Sequence, residues 1–383
     1  SKIVSSSCNQ LIGESLNSNG LVMTNAGDVM IYGDSNITAN SVVNTGDWVL
    51  AGDAAFNVGD MTNMSVIQAD GDVEFNGDSF DNTGWLYADD VVMNSDDVSI
   101  SGVMVAESDV VIDVENGVTV NGTIMAGNDL DLISQLDASN EGVIMADTIA
   151  VTANNLTNNG SLLAQDRLVI DADAIENNSW VSANSLVQIT GNDVVNNGYV
   201  LSHGGLQIDA HNVLQNNNHM SGNWVEVDTD LFEHSGYLTA LNANVNATTV
   251  NHEGVSVVYA DLNIESADFT NTSDGQLTAD SMTLNVANAF DNSGLVMGSS
   301  GVEINADSIS NNGTMLSLAE LQIAGENDVS NTGRLEASDI NMNTLELNNS
   351  GTVTSNTLSI NAEDVINDGQ LYSITDTTLN VQN

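Results

Sequence analysis

Hydrophobic and polar residues alternate along almost the whole chain. In segments such as LVIDA (168–172), LQIDA (206–210) and VEINA (302–306), the first, third and fifth residues are apolar. A period of two places successive side chains on opposite faces of a β-strand. Asn, Asp and Gly punctuate these segments, as is typical of turns. The pattern therefore predicts many short strands, and it contains no run with the period of 3.6 that a helix would need.

The strands belong to a repeating unit. Each repeat contains Asn-x-Gly or a close variant, and the 18 closing positions, from Gly46 to Gly369, follow one another at intervals of about 19 on average. One coil of this length cannot bury its own apolar face, but stacked coils can. Because equivalent strands run in the same direction, the repeat predicts an all-β fold, a right-handed parallel β-helix. At about 4.8 Å per coil it predicts a rod of about 80 Å.

Asparagine recurs two residues before the closing residue at 14 of the 18 positions. In stacked coils each side-chain NH₂ can donate to the carbonyl oxygen of the next coil, which predicts an asparagine ladder. The sequence also predicts a left-handed backbone at this corner, which Asn and especially Gly tolerate. The predicted ladder positions are Asn44, Asn63, Asn82, Asn140, Asn158, Asn177, Asn196, Asn216, Asn271, Asn292, Asn311, Asn331, Asn349 and Asn367.

Composition excludes several classes of protein. The 383 residues contain no proline, 3 Lys and Arg against 53 Asp and Glu, and a formal charge of −50. Such a charge disfavours nucleic-acid binding, which depends on neutralising phosphates. Disorder is also disfavoured, because 41% of the residues are hydrophobic and regularly spaced. Cys8 is the single cysteine, so no disulfide forms within the chain.

Two histidines interrupt the asparagine column. His234 and His252 occupy the Asn position in successive coils, where they could bind a metal or replace Asn as hydrogen-bonding residues. The second interpretation is favoured, because no cysteine or third histidine is near enough in the sequence to complete a zinc site. Neither an EF-hand loop nor a GGxGxD repeat is present. The sequence therefore predicts no metal site and no cofactor, only weak screening of the acidic faces by Ca²⁺.

Catalysis is an alternative, because parallel β-helices also include polysaccharide lyases and glycosidases. Carboxylate pairs suited to glycoside hydrolysis could form among the many acids. Lyase chemistry, however, requires a cation, and the only basic residues are Lys2, Arg167 and Arg334. The nearly constant repeat length also leaves no insertion that would build a cleft. We therefore predict no catalytic residues and a protein that is not an enzyme.

Aromatic residues follow the closing residue of several repeats. Trp85, Trp180, Tyr199 and Tyr237 all occupy this position, which should face outward. Trp180, Tyr199 and Tyr237 come from nearby coils and form a candidate exposed aromatic patch that could bind sugar rings or a partner protein. The alternative is that each is an ordinary, singly exposed aromatic side chain.

The two ends of the chain differ from the middle. Residues 1–40 are interpreted as irregular N-terminal coils, in which LNSNG (16–20) forms one coil and a longer coil then leads from Gly20 to Gly46. Residues 41–383 are interpreted as one continuous repeat domain. The alternating pattern continues to Asn383 without a predicted cap. An uncovered end suggests either part of a longer rod or a subunit that stacks end to end.

The repeat resembles a known family. LTNNGSLLA (156–164), ISNNGTMLS (309–317) and VSNTGRLEA (329–337) resemble the repeats of filamentous haemagglutinin and of contact-dependent inhibition exoproteins, and the likeness covers about residues 42–371. The family's N-terminal secretion domain carries Asn-Pro motifs, which this proline-free chain lacks. No toxin domain is visible either.

The resemblance implies a long rod on the bacterial surface. Its partners would be an outer-membrane transporter of two-partner secretion and a cell-surface receptor or glycan. We therefore expect a secreted structural rod that holds an adhesive or toxic tip away from the cell. Two alternatives remain open, a self-assembling extracellular filament subunit and a β-helix carbohydrate-active enzyme.

Overall fold

A computed structural model describes residues 2–5 and 11–382 of the chain. Its internal contacts divide the chain into two units, residues 1–191 and 192–383. Within the described residues there are 34 strands and no helix. Accordingly, the described part of the chain offers no apolar helix of the length needed to cross a membrane.

The first unit contains 19 complete strands in its described residues. They are β1 (Lys2–Ser5), β2 (Leu11–Gly13), β3 (Leu16–Asn25), β4 (Val29–Ile31), β5 (Ser35–Asn44), β6 (Trp48–Leu50), β7 (Ala54–Asn63), β8 (Val66–Ala69), β9 (Val73–Asn82), β10 (Trp85–Ala88), β11 (Val91–Ile100), β12 (Val103–Ala106), β13 (Val110–Val120), β14 (Thr123–Ala126), β15 (Asp129–Ser134), β16 (Asp137–Asn140), β17 (Val143–Asn158), β18 (Ser161–Asn177) and β19 (Trp180–Ala183).

Strand β20 (Leu186–Asn196) includes the sequence boundary between the units. The remaining strands of the second unit are β21 (Tyr199–Ser202), β22 (Gly205–Asn216), β23 (His219–His234), β24 (Tyr237–His252), β25 (Val255–Asn271), β26 (Gln276–Asn292), β27 (Leu295–Asn311), β28 (Thr314–Ser317), β29 (Glu320–Asn331), β30 (Arg334–Asn343), β31 (Glu346–Asn349), β32 (Thr352–Ala362), β33 (Asp364–Asn367) and β34 (Gln370–Val381).

Parallel pairing between successive coils holds each unit together. In the first unit, β11 pairs in parallel with β9 and with β13, so that Val98 lies between Phe80 and Val118. In the second unit, β26 pairs in the same way with β25 and β27. Equivalent residues of successive repeats are therefore direct neighbours. The prediction of an all-β parallel solenoid is confirmed, and so is its coil length, which matches the sequence repeat.

Alternation along each strand produces the core. In β11 the side chains of Val91, Met93, Val98 and Ile100 are buried, and those between them, apart from the buried Ser95, are more exposed. Each buried side chain of this size contributes about 1.5–3 kcal/mol relative to an exposed one. Because the buried positions coincide from coil to coil, every coil covers the apolar face of its neighbours.

The N-terminal part is more regular than the sequence analysis expects. Strand β3 pairs with β5 in parallel register, and Asn25 lies directly beside Asn44. The corner is therefore formed by Asn25, Ala26 and Gly27, which stand one coil before Asn44, Thr45 and Gly46. The interpretation of LNSNG as one coil, with a longer coil from Gly20 to Gly46, is wrong. Residues 16–20 instead form the first half of β3, which continues without a break to Asn25.

The corner glycines have a different role from the predicted one. Among the described residues, neither a glycine nor any other residue has a positive φ, so the predicted left-handed backbone is wrong. Glycine is favoured at most of these corners because the coils approach closely. A Cβ atom on Gly102 would overlap the carbonyl oxygen of Gly84. The Gly102 amide also donates to the Asn82 carbonyl oxygen at 2.8 Å, which holds the two coils at this distance.

We expect Gly102→Ala to lower the free energy of unfolding by about 1–3 kcal/mol, because the added methyl group forces the backbone of two coils apart. Gly301→Ala is the matched control, since a Cβ there would meet nothing closer than the Glu320 carbonyl oxygen at 3.9 Å. The control should be neutral or stabilising by up to about 1 kcal/mol. Chemical denaturation of both variants provides the measurement, and equal destabilisation would contradict the close-approach explanation.

Candidate functional site

A ladder of buried asparagine side chains runs through the first unit. Asn25 donates its Nδ2 hydrogen to Asn44 Oδ1 at 2.8 Å, Asn44 donates to Asn63 at 2.8 Å, and Asn63 donates to Asn82 at 2.7 Å. The second Nδ2 hydrogen of Asn63 reaches the Trp85 carbonyl oxygen at 3.1 Å. These four side chains are fully buried. Each internal amide therefore has partners on both sides, as a buried polar group requires.

The ladder is interrupted once within the first unit. Ile100 and Val120 occupy the column between Asn82 and Asn140 and are fully buried. Asn82 keeps only its bond from Nδ2 to the Val103 carbonyl oxygen at 3.1 Å, which is equivalent to the bond from Asn63 to Trp85. The amide bonds resume from Asn140 to Asn158 at 2.8 Å. The aliphatic side chains bring no donor or acceptor of their own into the column.

The second unit carries the longer run of the ladder. Asn196 donates to Asn216 at 2.8 Å, and from Asn271 onward each amide donates to the next at 2.7 Å. The members of this later run are Asn271, Asn292, Asn311, Asn331, Asn349 and Asn367. Asn367, the last member, is exposed. The predicted stacked ladder is thus present, and Asn25 is a member that the sequence analysis missed although Asn25-Ala26-Gly27 is an Asn-x-Gly sequence.

We expect Asn63→Ala to lower the free energy of unfolding by about 2 kcal/mol or more, because the partners on Asn44 and Asn82 lose a bond while buried. Thr62→Ala is the matched control, since Thr62 lies on the same strand and faces outward. Its loss should change stability by less than about 0.5 kcal/mol. Thermal or chemical unfolding compares the two variants. Similar effects of both would count against the ladder as a stabilising element.

Two buried histidines replace amides in the second unit. Asn216 Nδ2 lies 3.0 Å from His234 Nδ1, and His252 Nδ1 lies 2.9 Å from Asn271 Oδ1. The two ring centroids lie 5.1 Å apart, and the ring planes are tilted by 45°. His252 Nε2 also lies 3.0 Å from the Ser256 hydroxyl. The histidine pair therefore joins the two runs of the ladder, as the hydrogen-bonding interpretation of these residues expects.

The hydrogen bonds define the tautomer of each ring. His234 Nδ1 accepts from an amide donor, so its proton lies on Nε2, which faces the Val255 carbonyl oxygen at 3.5 Å. His252 donates from Nδ1 to an amide oxygen, so its Nε2 accepts from the Ser256 hydroxyl. Two neutral rings with opposite tautomers thus preserve the donor direction of the ladder. A proton added to His234 Nδ1 would place two donors against each other.

Burial keeps both rings neutral. Desolvation, and secondly the neighbouring His252, lowers the pKa of His234 to about 3. Desolvation lowers the pKa of His252 to about 4, although its bond to Asn271 opposes the shift. A cavity of about 300 Å³ beside His234 is also lined by Glu233 and Glu253. Even with these carboxylates near, burial dominates the titration of the pair.

These pKa values predict acid sensitivity. Unfolded histidine titrates near pH 6.5, so between that pH and about 4 the unfolded chain binds more protons than the folded one. The stability contributed by the neutral rings is complete above pH 6.5 and is lost as the pH falls toward 4 and then 3. Each ring should contribute a slope of up to about 1.4 kcal/mol per pH unit.

The matched variant is His234→Asn combined with His252→Asn, which replaces both rings by the side chain found elsewhere in the column. Chemical denaturation between pH 7 and pH 5 measures how the free energy of unfolding changes with pH. Most carboxyl groups titrate below this range. We expect the variant to lose less stability over this range than the natural chain. Parallel pH profiles for the two proteins would refute the assignment.

The structure brings part of the predicted aromatic patch together. In the second unit, His219 lies between Tyr199 and Tyr237, with ring centroids 6.1 and 6.2 Å apart in two stacked pairs. Both tyrosines are exposed at their outer edges. Trp180 is likewise exposed and lies beside Ser161 in the first unit. The sequence analysis missed His219, although it also follows a closing position of the repeat.

Stacking limits what the aromatic column can bind. His219 covers one face of Tyr199 and one face of Tyr237, so these two faces are not open to a ligand. Sugar rings pack best against an open aromatic face. Burial lowers the pKa of His219, which keeps this column uncharged at neutral pH.

An acidic groove lies along the second unit. Its volume is about 850 Å³, and its lining includes Asp228, Asp230, Glu265, Asp307 and Glu326 but no Lys or Arg. Such a lining suits cations. Nevertheless, no group of three or more His, Cys, Asp or Glu side chains in the described residues is arranged to hold a metal ion.

The remaining basic side chains stand apart from this groove. Arg167 of the first unit donates to Gln188 at 2.8 Å, and Arg334 of the second unit pairs with Glu336.

The fold and the column of amides define the class of protein, a parallel β-solenoid with a stacked asparagine ladder. No protein-family model matches the chain, and no curated protein sequence or solved structure matches it. The class is therefore established by the architecture, whereas the resemblance to filamentous haemagglutinin repeats stays a sequence prediction.

Proposed function

We propose that the chain is a structural rod of a secreted bacterial adhesin or contact-dependent inhibition exoprotein, which holds a binding or toxic tip away from the cell surface. The observation that carries this proposal is the ladder, in which buried amides join successive coils at 2.7 to 2.8 Å. Such a ladder holds each coil in register with the preceding one, which suits a long and stiff rod.

Solenoid physics supports a spacer function. Each coil contacts only its neighbours, so stability and length both grow with the number of coils. Every added coil contributes about 4.8 Å. The coil lengths vary little, and the variation is taken up by bulges, for example where the pairing of β22 with β23 shifts between Ala210 and Val213. A spacer needs this regularity, whereas an enzyme would need loops that build a cleft.

The setting follows from the resemblance of the repeats. As a secreted rod on the bacterial surface, the chain would pass through an outer-membrane transporter of two-partner secretion, and its parent protein would bind a cell-surface receptor or glycan. In this role the chain performs no catalysis. Its acidic faces keep it soluble and attract Ca²⁺ only as a diffuse counter-ion.

A deletion of whole coils tests the proposal. Removal of residues 272–331 joins Asn271 to Thr332 and takes out three coils while the ladder column continues. We expect the variant to fold and its longest dimension to decrease by about 14 Å with an unchanged cross-section. Small-angle X-ray scattering of the purified proteins measures both quantities.

The control restores the length with different residues. A copy of residues 141–196, another three-coil segment, is placed between Asn271 and Thr332 and should return the original dimension. On intact cells, antibodies should label all three forms, and the short form alone should attach less well to its target surface. Absence from the cell surface, equal attachment, or turnover of a polysaccharide would overturn the proposal. Fibres that lengthen with concentration would favour the filament alternative.

A further inference from the structure

Seven successive coils of the first unit present a run of outward side chains without charge. It is formed by seven four-residue segments, VIQA (66–69), WLYA (85–88), VMVA (103–106), TIMA (123–126), VIMA (143–146), SLLA (161–164) and WVSA (180–183), which pair in parallel from coil to coil. The first and third residues of each segment face outward, and we call these 14 positions the uncharged strip. Ten of them are apolar or aromatic, and none is Asp, Glu, Lys or Arg.

The strip contrasts with the rest of the surface. The chain has 53 acidic residues, and other outward-facing strand positions of the same unit carry Glu74, Asp97 and Asp113, among others. Within the strip, Trp85 is 58% exposed and Met145 is 40% exposed. A random distribution of so many acids would rarely leave 14 adjacent outward positions uncharged. A contiguous, largely apolar surface of this kind is often functional.

We propose that the uncharged strip is a lateral self-association surface, which packs against the same strip of a second copy of this chain. Charge points to this occupant. Two molecules with a formal charge of −50 each would bring carboxylates together on their other faces, where desolvation of unpaired charges opposes contact. Within the strip itself two copies can meet without placing one acid directly against another, and Glu107 stands only at its border, where Tyr87 donates to it.

The repeat spacing supports the same occupant. The strip has rows of side chains about 4.8 Å apart, and a second copy presents rows with the same spacing. An antiparallel pair related by a twofold axis would be self-complementary over all seven rows. The two sheets would pack face to face at about 10 Å, as in a β-sandwich. Few other surfaces match such a corrugation over this length.

Polar groups are too sparse for a sugar ligand. Gln68, Thr123, Ser161 and Ser182 are the strip's polar uncharged members apart from Tyr87, whose hydroxyl already donates to Glu107. A glycan brings many hydroxyl groups, and each needs a partner when it leaves water. Valine, methionine and leucine side chains supply none, but they suit contact with another apolar sheet.

The size of the strip sets the expected strength. Seven rows of four residues cover about 34 by 13 Å, or about 450 Å² on each partner, which is below the ~800 Å² of a standard stable interface. Association should therefore be weak and reversible. Glu107 and Asp89 border the strip, so repulsion between copies should make association stronger as salt is raised.

Sedimentation velocity tests this proposal on the whole chain at low and high NaCl concentration. We expect a monomer at low salt and, at high salt, a concentration-dependent dimer with a dissociation constant of about 10–100 μM. Trp85→Glu combined with Met145→Glu places four carboxylates in the dimer interface and should weaken association by about 100-fold or more.

The control is Met64→Glu combined with Leu136→Glu. These residues are 56% and 50% exposed and lie outside the strip, so the control removes similar apolar area and adds the same charge. It should leave the dissociation constant within about twofold of the natural chain. Equal melting temperatures of the two double variants would show that each remains folded.

Several results would overturn the proposal. The natural chain could remain monomeric at high salt, the strip variant could associate as well as the control, or both variants could lose association equally. A monomer that a neutral polysaccharide column retains through Trp85 and Met145 would assign the strip to a glycan instead. None of these results depends on whether the chain serves as a spacer on cells.

Discussion

A buried carboxamide must have hydrogen-bond partners, and this constraint organises the stacking of the coils. Asn63 is fully buried, and its amide reaches Asn44 and Asn82 only because coils stack at the strand spacing. An unpaired amide in this place would cost about 1–3 kcal/mol. The column therefore enforces a common register in successive coils. Differences in coil length are accommodated by bulges at other positions of the coil, for example between Ser95 and Asp97.

The exceptions to the column follow the same rule. Ile100 and Val120 bring no polar side-chain group into the column, and Asn82 beside them keeps its bond to the Val103 carbonyl oxygen. His234 and His252 keep their polar groups and, through opposite tautomers, keep the direction of donation from Asn216 to Asn271. The second solution makes the ladder depend on pH, because a ring that gains a proton loses its acceptor. The two kinds of exception thus differ in their response to acid.

The repeating parts of the structure can be predicted from the sequence. The period, the parallel strands and 14 asparagine positions follow from residue types at fixed spacing, since like residues must stack on like. Asn25 was missed through a wrong choice of corner. The role of Gly102 and the tautomers of His234 and His252 depend on distances between coils, and these distances come only from packing. The stacking of Tyr199 on His219 likewise requires coordinates.

The acidic residues can be this numerous because most of them remain in water. Asp72 shows the balance: burial and then its neighbours Asp90 and Asp53 raise the pKa of its carboxyl, while its backbone amide donates to the Asp53 carboxylate at 3.1 Å. Stacked carboxylates repel each other modestly in a high dielectric, and backbone donors offset part of that repulsion. The same stacking would be far more unfavourable between two dry surfaces. A solenoid with this charge can therefore associate laterally only where a face lacks acids, and the uncharged strip meets that condition.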